Sequence, residues 1–140
     1  MDRKAIKALV LDSSAIVAIH LREPGYERLI ERVDSAEVVV VGVPTLLETA
    51  MVLTARQGRD ARPMLFAFLR RIEAEVIAFN KEHLDAAATA FIRFGRSHHP
   101  AALNFGDCMS YAVASVAGMP LLFTGENFGR TDIVQAREEF

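Results

Sequence analysis

Four carboxylates in this chain stand where chemistry could be done. Most of its 18 Asp and Glu residues fall on polar helix faces such as "ERLIERVDSAE" and read as solvated. Asp12 is different, because it directly follows the apolar run "ALVL". Glu48 falls in the first turn of a helix that follows "VVVV", Asp107 opens the helix "LNFGDCMSYAVASVAG", and Glu126 follows "PLLFTG". Acids gathered without a thiolate or a catalytic histidine pair suit hard, oxygen-preferring ions, Mg²⁺ or Mn²⁺. Such ions activate water, neutralise developing charge on a phosphate and orient an in-line displacement, and a two-ion site holds its metals ~3.5–4 Å apart. The chemistry expected is metal-dependent hydrolysis of a phosphate ester.

Each acid also has a plainer role. Asp is among the favoured helix N-caps, which suits Asp12. Thr45-Leu-Leu-Glu48 has the spacing of a capping box, and Asn104-Phe-Gly-Asp107 resembles one. Glu126 fits a turn after Gly125. The two readings are compatible, since a helix N-terminus favours the ionised carboxylate that a metal needs.

The elements that must position these acids follow from hydrophobic period and punctuation. "ALVL", "EVVVVG", "EVIAF" and "PLLF" are short, continuous apolar runs that read as buried strands, and "TDIV" as a short fifth. Between them lie helical patterns: "SSAIVAIHL", "YERLIERVDSA", "PTLLETAMVLTARQG", "DARPMLFAFLRRIEA", "KEHLDAAATAFIRFG" and the segment that Asp107 opens. Pro44 near the start and Gly58 just past the end give the third of these its expected asymmetry. Strands alternating with helices predict an α/β fold, a central parallel sheet of four to five short strands flanked by helices. Ligands of such sheets bind at the strands' carboxyl ends, near the switch in strand order. Asp12, Glu48 and Glu126 all sit just beyond a strand's carboxyl end.

Composition narrows the class. A chain of 140 residues is expected to form one domain, 1–140, burying about 68–70% of the surface its unfolded form exposes. No apolar stretch approaches the ~20 residues of a membrane span, and "MDRKAIKALVLD" shows no cleavable signal pattern. A single cysteine excludes an internal disulfide, so a cytoplasmic location is expected. The net charge of −2 argues against a general nucleic-acid coat, but 13 arginines against three lysines leave room for a local phosphate-binding groove.

At the acids the chain resembles a known family. "LVLDSSAIVAI", "PTLLETAMVL", "LNFGDCMSYAVA" and "PLLFTGENFGRTDI" look like the successive motifs of PIN-domain ribonucleases, and most resemble VapC toxins of toxin–antitoxin pairs. The block "FGRSHHPAALNFGDC" is similar to one VapC subgroup. The resemblance spans nearly the whole chain. It implies a compact PIN-like fold, Mg²⁺- or Mn²⁺-dependent cleavage of RNA, a homodimer, and a cognate VapB-type antitoxin. The family's first three acids match Asp12, Glu48 and Asp107, as metal ligands and catalytic residues. The fourth matches Glu126, a departure from the usual Asp, with Asn127 beside it in place of a second acid. Asp132 is the competing fourth acid, and one ion or two stays open.

Polar neighbours complete the set. Ser13 and Ser14 can orient a water or a phosphate, or simply cap the helix. Arg96, His98 and His99, with Arg93, form the only local basic cluster near a motif, suited to phosphate contact or to a solvated loop. Metal ligation by His98 and His99 is disfavoured for want of a third nitrogen or sulfur partner. Cys108 reads as a small buried hydrophobe, and Met64, Leu65, Phe66, Phe68 and Leu69 as core, with a dimer contact as the alternative.

Other classes fit less well. Receiver domains and dehalogenase-like phosphatases use a late lysine, whereas the lysines here are Lys4, Lys7 and Lys81. A catalytically weak PIN-fold binding module, a metal-dependent phosphatase and a DNA nuclease remain the alternatives.

Overall fold

The computed structural model describes residues 7–136, so Lys4 and the first residues of the N-terminal segment lie outside it. The described elements are β1 (Ala8–Leu11), α1 (Ser13–His20), α2 (Tyr26–Ser35), β2 (Val38–Gly42) and α3 (Val43–Gln57). There follow α4 (Arg62–Arg71), β3 (Glu75–Ile77), α5 (Lys81–Phe94), α6 (Phe105–Ala117), β4 (Leu121–Leu122) and a 3₁₀ turn at Phe128–Arg130. The four strands form one parallel sheet in the order β3-β2-β1-β4. The chain builds outward from β1 to β3, then returns to add β4 on the other side. The strand order therefore switches at β1, and the ligand crevice belongs at the carboxyl ends of β1 and β4.

Alternation along the central strands divides the core into two layers. Val10 and Val40 face α5 and α6, packing with Ala90, Phe94, Tyr111, Ala112 and Leu121. Leu9, Leu11, Val39 and Val41 face the other way, onto Ile16, Val33, Leu65 and Leu69 of α1, α2 and α4. Each fully buried Leu or Val contributes roughly 1.5–3 kcal/mol through area removed from water, which is why the short strands need no alternation with polar residues. β3 is the exception: an edge strand whose Glu75 and Val76 are exposed.

Three expectations change. "TDIV" supplies no fifth strand among the described residues. Its end forms a single parallel bridge, Leu121 with Gln135, held by Leu121 N–H to Val134 O (2.8 Å) and Ala136 N–H to Leu121 O (2.9 Å). With β4 only two residues long, the pairing ends where the strand ends. Phe66 is exposed rather than core, because α4 turns Leu65, Phe68 and Leu69 to the sheet. And α3 starts straight off β2 at Val43, capped by the backbone of Gly42. Thr45 and Glu48 are therefore not a capping box: Glu48 lies in the second turn, and the buried Thr45 hydroxyl pairs with Ser110 instead.

No helix among the described residues is long and apolar enough to cross a membrane. One face is nonetheless oily. Val43, Leu47 and Met51, spaced at one helical turn along α3, are exposed together with Phe105. With Met109 they line a cleft of about 590 Å³ that has Glu48 and Gly106 on its wall.

Candidate active site

The site is built from the end of β1. The Asp12 amide donates to Leu122 O of β4 at 3.0 Å, which ties its backbone to the switch point of the sheet. Its extended backbone ends the strand, and its side chain caps α1, accepting the Ser14 amide at 3.1 Å and the Ser14 hydroxyl at 2.5 Å on Oδ2. The other oxygen, Oδ1, accepts the Ser110 hydroxyl from α6 at 2.5 Å. Asp12 is buried, and its carboxylate is held by three donors, none of them charged.

Asp107 opens α6 as expected. It and Asn104 form a reciprocal capping box: Asn104 Oδ1 accepts the Asp107 amide at 2.8 Å, and Asp107 Oδ2 accepts the Asn104 amide at 3.0 Å. The cap brings the carboxylate to the other two acids. Burial raises the Asp107 pKa to about 6 against the pull of the Asn104 amide, and the charges of Asp12 and Glu48 both add to the rise. Glu48 is raised in the same way, by burial first and also by the Asp12 charge, while a hydrogen bond from the Ser13 hydroxyl opposes it. Asp12 at α1's cap, Glu48 on α3 and Asp107 on α6 thus share one electrostatic neighbourhood, in which neighbouring charges help to raise Glu48 and Asp107.

The donor set fits a hard divalent cation. It offers carboxylate and hydroxyl oxygens, and the hydrogen bonds described for these acids involve no sulfur or imidazole. Among the described residues, no group of three or more His, Cys, Asp or Glu side chains is closed around a single ion position. Mg²⁺ does not require that, because it keeps several waters and takes one or two carboxylates directly.

Glu126 stands apart from this trio. It is exposed in the loop after β4 and pairs with Arg130 at 3.7 Å. Asp132 is committed elsewhere, accepting the Tyr111 hydroxyl at 2.5 Å and Arg93 at 3.1 Å. Burial pushes Asp132 up, but those two hydrogen bonds outweigh it and the net shift is down.

The neighbouring polar residues take unexpected partners. Ser13 serves Glu48, and Ser14 serves Asp12 while its oxygen accepts the Thr124 amide at 3.1 Å. Both serines therefore hold carboxylates and loops together. His98 joins Ile92 O at 2.7 Å and the Ser97 hydroxyl at 3.1 Å, and His99 Nδ1 accepts the Ala101 amide at 3.0 Å. They stack edge-on against Phe91 and Phe94, so the two histidines shape their own loop. Arg96 is exposed, and its amide bonds Leu103 O at 3.0 Å, just ahead of the Asn104 cap. Cys108 is buried and its thiol is pushed up to about 11, mainly by burial and further by Asp107, which keeps it protonated. Sequence reasoning overlooked Ser110 and the buried role of Thr45. Their one visible signal is spacing: each lies three residues from a site acid.

Comparison with known proteins agrees with this architecture. The PIN-domain profile matches residues 9–134. Ribonuclease VapC of Mycolicibacterium smegmatis is 42% identical over 125 residues, covering 89% of this chain and 97% of that protein. Among solved structures, VapC20 of Mycobacterium tuberculosis, a sarcin–ricin loop cleaving toxin, superposes with a TM-score of 0.72 at 20% identity, covering 92% of this chain and 98% of its own. A toxin–antitoxin complex from Klebsiella pneumoniae gives a TM-score of 0.66 at 12% identity, over 93% and 98% of the two chains. The crevice at the end of β1, with its acids, is thus set in a chain that belongs to the PIN-domain family, among the VapC ribonucleases.

Proposed function

We propose that the whole chain, 1–140, acts as one PIN domain and as the toxin of a toxin–antitoxin pair. Its activity is Mg²⁺- or Mn²⁺-dependent endonucleolytic cleavage of RNA in the cytoplasm. The observation that carries this reading is the shared field of Asp12, Glu48 and Asp107 at the sheet's switch point. Acids brought together around one crevice repel one another unless a cation offsets their charge. Asp12, Glu48 and Asp107 would hold the ion, with Glu126, on the exposed loop after β4, as the fourth acid. When bound, the ion supplies charge neutralisation at the phosphodiester and activation of water.

The rest is the work of the chain's own residues. Ser14 and Ser110 hold the Asp12 carboxylate in place, and Ser13 hydrogen-bonds Glu48. The Asn104 cap fixes Asp107 at the positive end of α6, where a carboxylate is favoured. Arg96 offers the RNA backbone a cation at the rim. The apolar stripe Val43, Leu47, Met51 and Phe105 suits a protein interface, and we assign it to a second copy of the chain in a homodimer. The antitoxin would be a VapB-type protein, in keeping with the toxin–antitoxin complexes that share the fold.

The deciding experiment is cleavage of total RNA by the purified chain. Cutting is expected with added Mg²⁺ or Mn²⁺ and none in EDTA. Undiminished cutting in chelator would remove the metal from the reading. Selective cutting of DNA would favour the nuclease alternative.

A further inference from the structure

We propose that Ser110, backed by Thr45, is a positioning residue that locks the Asp12 carboxylate for a divalent cation; this rests on the metal-site reading above. Ser110 lies one turn beyond Asp107 on α6 and is wholly buried. A hydroxyl in such a place costs free energy unless it is paired. In helix interiors serine commonly bonds back to its own helix, but here the hydroxyl reaches across to Asp12 Oδ1 at 2.5 Å.

The direction of the whole chain of hydrogen bonds follows from proton counting. Ser110 has one hydroxyl proton, and a carboxylate can only accept. That proton goes to Asp12. The 3.2 Å contact between Thr45 Oγ1 and Ser110 Oγ must then be donated by Thr45. Thr45 is itself buried, and its carbonyl accepts the Thr49 hydroxyl at 2.7 Å. Thr45 to Ser110 to Asp12 is thus a polarised relay in a dry setting, in which each bond strengthens the next.

The relay links the three elements that carry the acids. Thr45 sits on α3, one turn before Glu48. Ser110 sits on α6, one turn after Asp107. Asp12 ends β1. With Ser14 holding Oδ2 and Ser110 holding Oδ1, rotation of the carboxylate is blocked. All of its named donors are neutral groups rather than protein cations. Partners of this kind, which orient a ligand without touching the metal, typically matter 10–100-fold in affinity or activity.

The test uses the full chain with Mn²⁺ as the probe. Mn²⁺ affinity is measured by titration, and melting temperature is measured without metal, for wild type, Ser110→Ala and Thr45→Val. Ser110→Ala is expected to fold and to bind Mn²⁺ roughly tenfold more weakly. Thr45→Val keeps the direct Ser110 bond and should show a smaller loss in the same direction. The Mg²⁺ needed for half-maximal RNA cleavage should rise in parallel, with the rate at saturating metal near wild type. Folded Ser110→Ala with wild-type Mn²⁺ affinity overturns the proposal while leaving the metal site intact. Should Ser110→Ala fail to fold, wild-type affinity in Thr45→Val overturns it instead. Wild-type protein that binds no Mn²⁺ overturns the metal-site reading itself, and this proposal with it.

Discussion

Gly106 lies directly against the Glu48 carboxylate: a methyl group in place of its hydrogen would overlap both carboxylate oxygens. The glycine is one residue ahead of Asp107, in the first turn of α6. Its smallness is what lets an acid from α3 come beside an acid from α6. The atoms in the way are the far end of a flexible side chain, so the fold itself has room to give. Gly106→Ala should therefore move Glu48 rather than unfold the protein. Alanine also gains up to ~1 kcal/mol in helix propensity. The expected result is an unchanged or higher melting temperature with RNA cleavage reduced at limiting Mg²⁺. Loss of stability with normal cleavage would show that the contact is only packing.

Asp107 makes the metal-free protein sensitive to pH. Its carboxyl is raised from 3.8 to about 6, chiefly by burial and then by its acidic neighbours. At pH values below 3.8 folded and unfolded chains both hold the proton, and the related stability is fully present. As pH climbs toward 6 the unfolded chain releases its proton first, so stability falls until the folded form ionises as well. Subtracting the melting profile of Asp107→Asn from that of wild type isolates this fall. At neutral pH the metal-free variant should be more stable by on the order of 1 kcal/mol, a figure reduced for partial exposure. Mn²⁺ affinity of the wild type should rise with pH across the same window. A flat difference between the two profiles contradicts the assignment.

Asp132 and Glu126 should separate cleanly. Asp132 ties α5 to α6 through Arg93 and Tyr111, so Asp132→Asn is expected to cost about 1 kcal/mol of stability and to leave cleavage near wild type. Glu126→Gln should leave stability unchanged and either lose most cleavage or need more Mg²⁺. A metal titration of cleavage for both variants decides it, and the opposite ranking transfers the fourth role to Asp132.

RNA contact at the rim should fall on Arg96 rather than on the histidines beside it. Arg96→Ala is expected to weaken RNA binding and to reduce the slope of log affinity against log salt by about 0.7, the loss of one phosphate contact to a single strand. His98→Ala and His99→Ala should lower melting temperature instead, because their rings brace the loop. An unchanged salt slope in Arg96→Ala would place the groove elsewhere, with Arg56, Arg59 and Arg62 the next set to replace.

Much of this was legible in the sequence for local reasons. Asp12 stops a strand and caps a helix in adjacent steps, so β1 and α1 are readable to the residue. Asn104 and Asp107 announce α6 with a capping box that needs nothing outside four residues. Pro44 marked the start of α3, but its cap was not legible, because Gly42 caps it with backbone alone and no polar side chain marks the turn. Thr45 therefore looked like a cap when it is a buried donor. Phe66 looked like core because one helix carries more apolar residues than its buried face can take. Ser110 was invisible for a deeper reason. Among alanines and valines a serine reads as a small spacer, and its partner is 98 residues away in the chain.

That separation bears on how the protein is made. Asp12 follows β1, whereas Asp107 and Ser110 lie on α6, after β2, β3 and the helices between them. A chain made only as far as β3 has the strands β1, β2 and β3 while still lacking Asp107 and the Ser110 donor to Asp12. The loop that joins Asp12 to Ser110 closes only when α6 is available to pack. The carboxylate cluster is therefore completed only once α6 has been made and has packed.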